Sequence, residues 1–220
     1  MTWTEIETLP RAQRLSLAYL GRAESTKLGP AFMLDFRLSQ IVRTASEPIL
    51  AQMRIAWWRD MLKSPLADRP KGDPVLSSIA EPWNGHEPIL LKLADAWEEL
   101  LLTESLTAEV ARRVAEGRGA FLSDVMRAPG AFQDQDSASI IATHWALADL
   151  AAHFSKKEER DLIFEIAGDY SPKNIRLPRY LRGIAVLNAL ARHSLTSGGR
   201  PLAEGRMGAL IALRAGLLGR

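Results

Sequence analysis

The chain has 220 residues, a formal net charge of +2 and no cysteine, which excludes disulfides, thiolate zinc sites and cysteine nucleophiles. Apolar residues make up 47% and charged residues 25%, a globular balance that rules out a disordered or collagen-like chain. The 31 Ala and 32 Leu far outnumber the 28 Val, Ile and Thr, so the side chains that lose least freedom in a helix dominate, predicting an all-α protein.

In chain order, the pattern predicts a first helix over about 11–22, carrying Leu15, Ala18 and Tyr19 on one face. Leu28-Gly29-Pro30 reads as a break, with Pro30 opening a second helix through about Thr44 that bears Leu34, Leu38 and Ile41. Ser46 is placed to cap a third helix, with Pro48 in its first turn and its end before Pro65. PLADRPKGDP is a polar loop, and Asp73-Pro74 opens a short helix to about Glu81. Glu87 to Thr103 follows, with Leu90, Ala94, Trp97 and Leu101 on one stripe, then about 107–127, ended by Ala128-Pro129-Gly130. Asp134 or Asp136 caps a helix through about Phe154, and Lys156 to about Gly168 gives another. Pro178 starts one that ends near Leu195, and Ser197-Gly198-Gly199 precedes a last helix from Leu202. There is no repeat and no period-two strand pattern. The expectation is a single helical domain over residues 1–220.

The opening MTWTEIETLPRAQR lacks a basic stretch followed by an apolar core, and no window approaches 18 uncharged apolar residues. This predicts a cytoplasmic protein, peripheral at a membrane if it meets one. Charge is uneven. From Lys173 to Arg220 there are nine basic residues and one acid, Glu204, so that segment carries +8 and the remainder −6. Such a segment suits a protein partner or an anionic membrane surface. No nucleic acid is expected.

The richest stretch is Met53-Arg54-Ile55-Ala56-Trp57-Trp58-Arg59-Asp60. Spacing puts Met53, Trp57 and Met61 on a core-facing stripe, and Arg54 with Trp58 on another face where a cation can lie over an indole. Asp95 and Glu99, with Lys92 on the same strip, read as an exposed face with a helix-supporting ion pair. His86, His144, His153 and His193 lack metal-ligand spacing and read as surface or capping groups. Gly-rich phosphate loops and serine nucleophile elbows are absent.

The segment AFMLDFRLSQIVRTASEPILAQMRIAWWRD, Ala31–Asp60, resembles the squalene/phytoene synthase family of head-to-head prenyltransferases. The Ser-Glu-Pro-x-Leu…Arg-x-x-Trp-Trp-Arg-Asp run looks like the family stretch after its first aspartate-rich helix. Leu9-Pro10…Arg14-Leu15, Leu177-Pro178-Arg179 and Ala185-Val186-Leu187 are also similar to family material. The resemblance implies a helical bundle of the isoprenoid synthase type, and Asp35, Arg54, Trp57, Arg59 and Asp149 as ligand-binding candidates. Active members hold magnesium on two acidic motifs, and the magnesium binds the departing diphosphate. By the resemblance, Ser39, Gln40 and Arg43 stand at the first motif, and none is acidic. Asp35 lies one turn earlier on the face of Ser39.

The second motif has two placements: one leaves Asp149 as the sole acid, in His144–Leu150; the other gives Glu165 and Asp169 as metal candidates, with Asp161 extending the row. Either way the acidic pair is incomplete. The expectation is a divergent relative, similar to the complex I assembly-factor branch, that lacks prenyltransferase catalysis and binds a prenyl lipid or acts as an assembly scaffold. A cavity lined by Leu34, Leu38, Trp57 and Leu147 would hold the prenyl tail. The alternative is an active enzyme of phytoene or squalene type using magnesium-bound prenyl diphosphates.

Overall fold

The computed structural model describes residues 6–127, 135–172 and 176–219. The Ala128-Pro129-Gly130 break and the Asp134 cap lie outside these. Among the described residues there are ten α-helices and no strand: α1 (Arg11–Ala18), α2 (Arg22–Arg43), α3 (Pro48–Lys63), α4 (Pro74–Ile79), α5 (Glu87–Leu102), α6 (Ala108–Met126), α7 (Gln135–Ala151), α8 (Lys157–Asp169), α9 (Arg182–Thr196) and α10 (Gly205–Leu218). Short 3-10 turns at Leu66–Asp68 and Arg179–Leu181 join α3 to α4 and lead into α9. The protein is all-α. None of these helices is long and apolar enough to cross a membrane.

Local chemistry explains several starts. Asp73 caps α4 by accepting from the Val75 and Leu76 N–H groups at 2.9 and 3.0 Å, and Thr107 caps α6 by accepting from Val110 N–H. Prolines in the first turns of α3, α4 and α5 lack only an N–H that would go unpaired there. Ser46 does not cap α3, whose N-cap is Glu47. Asp136 lies inside the first turn of α7, where its charge complements the helix dipole.

The expected break at Leu28-Gly29-Pro30 does not occur. α1 ends at Ala18, and α2 runs unbroken from Arg22 to Arg43 with Pro30 inside it. Pro30 takes the bond donor away from the Thr26 carbonyl, and Thr26 is exposed, so solvent can serve that carbonyl instead. Residues 28–35 are all buried, and packing on every side outweighs the local cost.

Residues 141–148 of α7 are likewise buried without a break. These two central helices meet through aromatic rings: Phe32, Phe121 and Trp145 pack edge-to-face with centroids 5.4–5.9 Å apart. α6 lies against α7 because position 119 is glycine. A Cβ there would stand 2.9 Å from the Ala142 carbonyl carbon. One hydrophobic core runs from Leu9 to Ala215.

The third helix is rotated from its expected orientation. Its core stripe is Ala51, Ile55, Trp58 and Leu62, whereas Met53 is 65% and Trp57 40% exposed. The stripe 51, 55, 58, 62 follows the 3.6-residue repeat through Ile55, Trp58 and Leu62, while the i, i+4, i+8 row of Met53, Trp57 and Met61 lies on a different face. Leu34, Leu38 and Leu147 are packed solidly in the core, so with Trp57 turned outward they line no common cavity.

Candidate functional site

Arg118 sits on α6 at a position that continues the apolar row Ala111, Val114, Ala115, Phe121, Leu122 and Val125, so its side chain enters the core. There it meets two carboxylates. Asp35 of α2 takes a bidentate pair, Nε to Oδ1 at 3.1 Å and Nη2 to Oδ2 at 2.9 Å. Asp149 of α7 accepts from Nη2 at 2.8 Å. Trp97 of α5 donates its indole N–H to Asp35 Oδ1 at 2.8 Å. The guanidinium carbon lies 4.5 Å from the ring centre of Trp97 and 5.4 Å from that of Trp145. Four helices thus converge on one cation.

Arg118 and Asp35 are each 2% exposed, and the Asp149 side chain is 19% exposed. Burial alone would ease the proton off Arg118. The charges of Asp35 and then Asp149 outweigh it and hold the guanidinium above its ordinary value, permanently cationic. Fork-to-carboxylate geometry makes these strong charge-assisted bonds. His153, one turn beyond Asp149, places Nδ1 2.7 Å from the Asp149 carbonyl oxygen.

A partly enclosed pocket of about 140 Å³ opens beside this cluster, with Phe36, Val42, Trp97, Leu100, Leu150 and Phe154 as its apolar lining. Ser39, Arg43 and His153 also reach it, together with Asp35, Arg118 and Asp149. Two of its lining residues carry a buried polar atom with no partner, Gln13 Oε1 and Arg118 Nη1. Buried polar atoms nearly always have partners, so one acceptor and one donor are left unsatisfied on residues that line the pocket. A cavity of ~150 Å³ takes a molecule the size of benzene. This pocket therefore admits a ring-sized or single-isoprene-sized apolar group.

Of the residues expected to bind ligand, the structure brings Asp35 and Asp149 together and leaves the others apart. Arg59 pairs with Asp95 at 2.9 Å and with Glu98, joining α3 to α5. Arg54 and Trp57 line a separate shallow surface depression with Arg37 and Asp73. Glu165, Asp169 and Asp161 lie on the exposed outer face of α8, where Asp169 meets Arg112 at 3.4 Å and Asp161 meets Lys157 at 2.5 Å. Among the described residues no group of three His, Cys, Asp or Glu is placed to hold a metal ion. Asp95 and Glu99 bond across helices, to Arg59 and Arg113, in place of Lys92.

The donor set does not fit a magnesium site. Both of its carboxylates are already bonded to a guanidinium that sits between them, and the other full charge on that wall, Arg43, is a second cation. Sequence reasoning missed Arg118, although an arginine on an otherwise apolar helical row, flanked by Gly117 and Gly119, was a readable signal.

His144 is not a surface or capping group. It is buried in the fully buried stretch 141–148 of α7, where burial and then the charge of Arg192 push it down to about 4. Tyr170 is pushed up to about 12 by burial and by its bond to Glu116 at 2.7 Å. No family model, curated protein or solved structure matches the chain.

Proposed function

We propose that this protein is a non-catalytic relative of the squalene/phytoene synthases, a bundle of the isoprenoid synthase type that works by binding a small prenyl-lipid group. The observation that carries this reading is the Arg118 guanidinium held between Asp35 and Asp149. These are the acids that the family resemblance, in the placement centred on Asp149, leaves on its two motif helices. An enzyme of this kind needs such carboxylates free to hold divalent ions against a departing diphosphate. Here a divalent ion would have to displace a buried, bidentate arginine and leave it uncompensated, which is strongly unfavourable. The alternative placement supports catalysis no better, because Glu165 and Asp169 face solvent away from the pocket lining.

The pocket supports binding of a limited kind. Its volume suits one isoprene-sized end of a chain, and it is far too small for the two long prenyl chains that a head-to-head condensation must hold. Gln13 Oε1 and Arg118 Nη1 suit a hydroxyl or carbonyl on that end.

Incubation with farnesyl diphosphate and magnesium tests the reading. The expected result is no pyrophosphate release above the blank, and no saturable magnesium binding by calorimetry. Mass spectrometry of the purified protein is expected to show a co-purified prenyl lipid, and Leu100→Trp, which fills the pocket, is expected to expel it. Magnesium-dependent turnover would overturn the non-catalytic reading; a pocket that retains no lipid and binds no added prenyl alcohol would overturn the binding one.

A further inference from the structure

α10 is built inside out. The residues it turns toward the protein are small: Gly208, Ala212, Ala215 and Gly216. Gly216 is pressed against Tyr19, where a Cβ would come within 2.3 Å of the ring, so the helix backbone lies directly on the body. Its large apolar side chains point the other way. Met207, Leu210, Leu213, Leu217 and Leu218 are all exposed, between 43% and 59%. A helix that only needed to close the core would show the reverse pattern.

Charge identifies what suits this face. Arg206 and Arg214 are exposed on the same outward side, and α10 contains no acidic residue. Leu177 N–H donates to the Gly219 carbonyl at 3.0 Å, which sets exposed Arg176 at the C-terminal end of the helix. Exposed Arg200 precedes its N-terminal end. A second copy of the chain packed face to face would bring Arg206 and Arg214 onto a face with no acid along the helix and one, the N-cap Glu204, at its start. A broad apolar face bordered by cations matches a surface that is apolar beneath and anionic above.

We propose that α10 docks the protein in the plane of an anionic lipid bilayer, with the leucines in the headgroup–acyl boundary and the arginines on lipid phosphates. The helix is already folded and fixed to the body, so docking requires no ordering of the segment. The proposal is independent of what the pocket binds.

Co-sedimentation of the full chain with vesicles tests it. The protein is expected to bind phosphatidylcholine vesicles containing phosphatidylserine, to bind pure phosphatidylcholine weakly, and to lose binding as salt rises. Arg206→Gln/Arg214→Gln is expected to weaken partitioning by about fivefold per arginine. Leu210→Ser/Leu217→Ser is expected to weaken it by at least ~10-fold. All four side chains are exposed, so circular dichroism should show intact helix in both variants. Three outcomes would overturn the proposal: no binding to anionic vesicles, binding indifferent to both substitutions, or a dimer in light scattering that the leucine substitutions dissolve.

Discussion

Removing Arg118 would leave buried Asp35 and partly buried Asp149 around a gap with no arginine between them. Breaking such a pair from one side costs about 3–5 kcal/mol, most of it the stranded charge. Arg118→Met is therefore expected to lose stability of that order in urea denaturation, and Asp35→Asn added to it is expected to recover part of the loss by removing one stranded charge. If the arginine were a mere surface ion pair, the single variant would cost less than about 1 kcal/mol. His144 gives a second readout at this scale. Its folded value of about 4 lies below the ordinary 6.5, so between those two values the unfolded chain binds more protons than the folded one. Stability contributed by His144 is full above pH 6.5, falls as pH drops, and levels off near pH 4, a change of about 3 kcal/mol. Denaturation curves across this window should be flatter for His144→Gln.

At the scale of the helix, position 119 decides how close α6 comes to α7. An added Cβ meets backbone atoms of Ala142 and Thr143 at 2.9–3.1 Å, and backbone does not move aside as a side-chain tip would. Gly119→Ala is expected to destabilise by about 1–3 kcal/mol through overpacking. It should also pull Arg118 out of line with Asp149, because the two residues ride on the helices being forced apart. Gly168 of α8 is the contrast: no atom lies within 4 Å of its added Cβ, so Gly168→Ala should stabilise by roughly 0.5–1 kcal/mol. Thermal melts of the two variants should move in opposite directions. The helices themselves were largely legible, since spacing, Asp73, Thr107 and the first-turn prolines are local signals. Pro30 was not, because the burial that carries α2 through it comes from sequence-distant neighbours. The orientation of α3 was unreadable because two helical rows, one through Trp57 and one through Trp58, both offer large apolar side chains, and only packing selects between them. In α10 period alone gives a stripe of large side chains, and only the packed structure shows that small ones, such as Gly208 and Ala212, face the core.

Across the molecule, the all-α class followed from composition, and the two carboxylates of the cluster were singled out separately, Asp35 within the thirty-residue resemblance and Asp149 in one of two placements outside it. What joined them was not reached. Asp35, Arg118 and Asp149 are 83 and 31 residues apart in sequence, and no local pattern reports that three helices bring them to one point. The cation in this cluster is also tethered by a covalent side chain, so it has no dissociation constant and no dependence on supply. A protein that bridges its carboxylates with a diffusible metal loosens when the metal is stripped away. This one is expected to keep the same melting temperature and tryptophan emission in excess EDTA as in millimolar magnesium, its core indifferent to how much free divalent ion surrounds it.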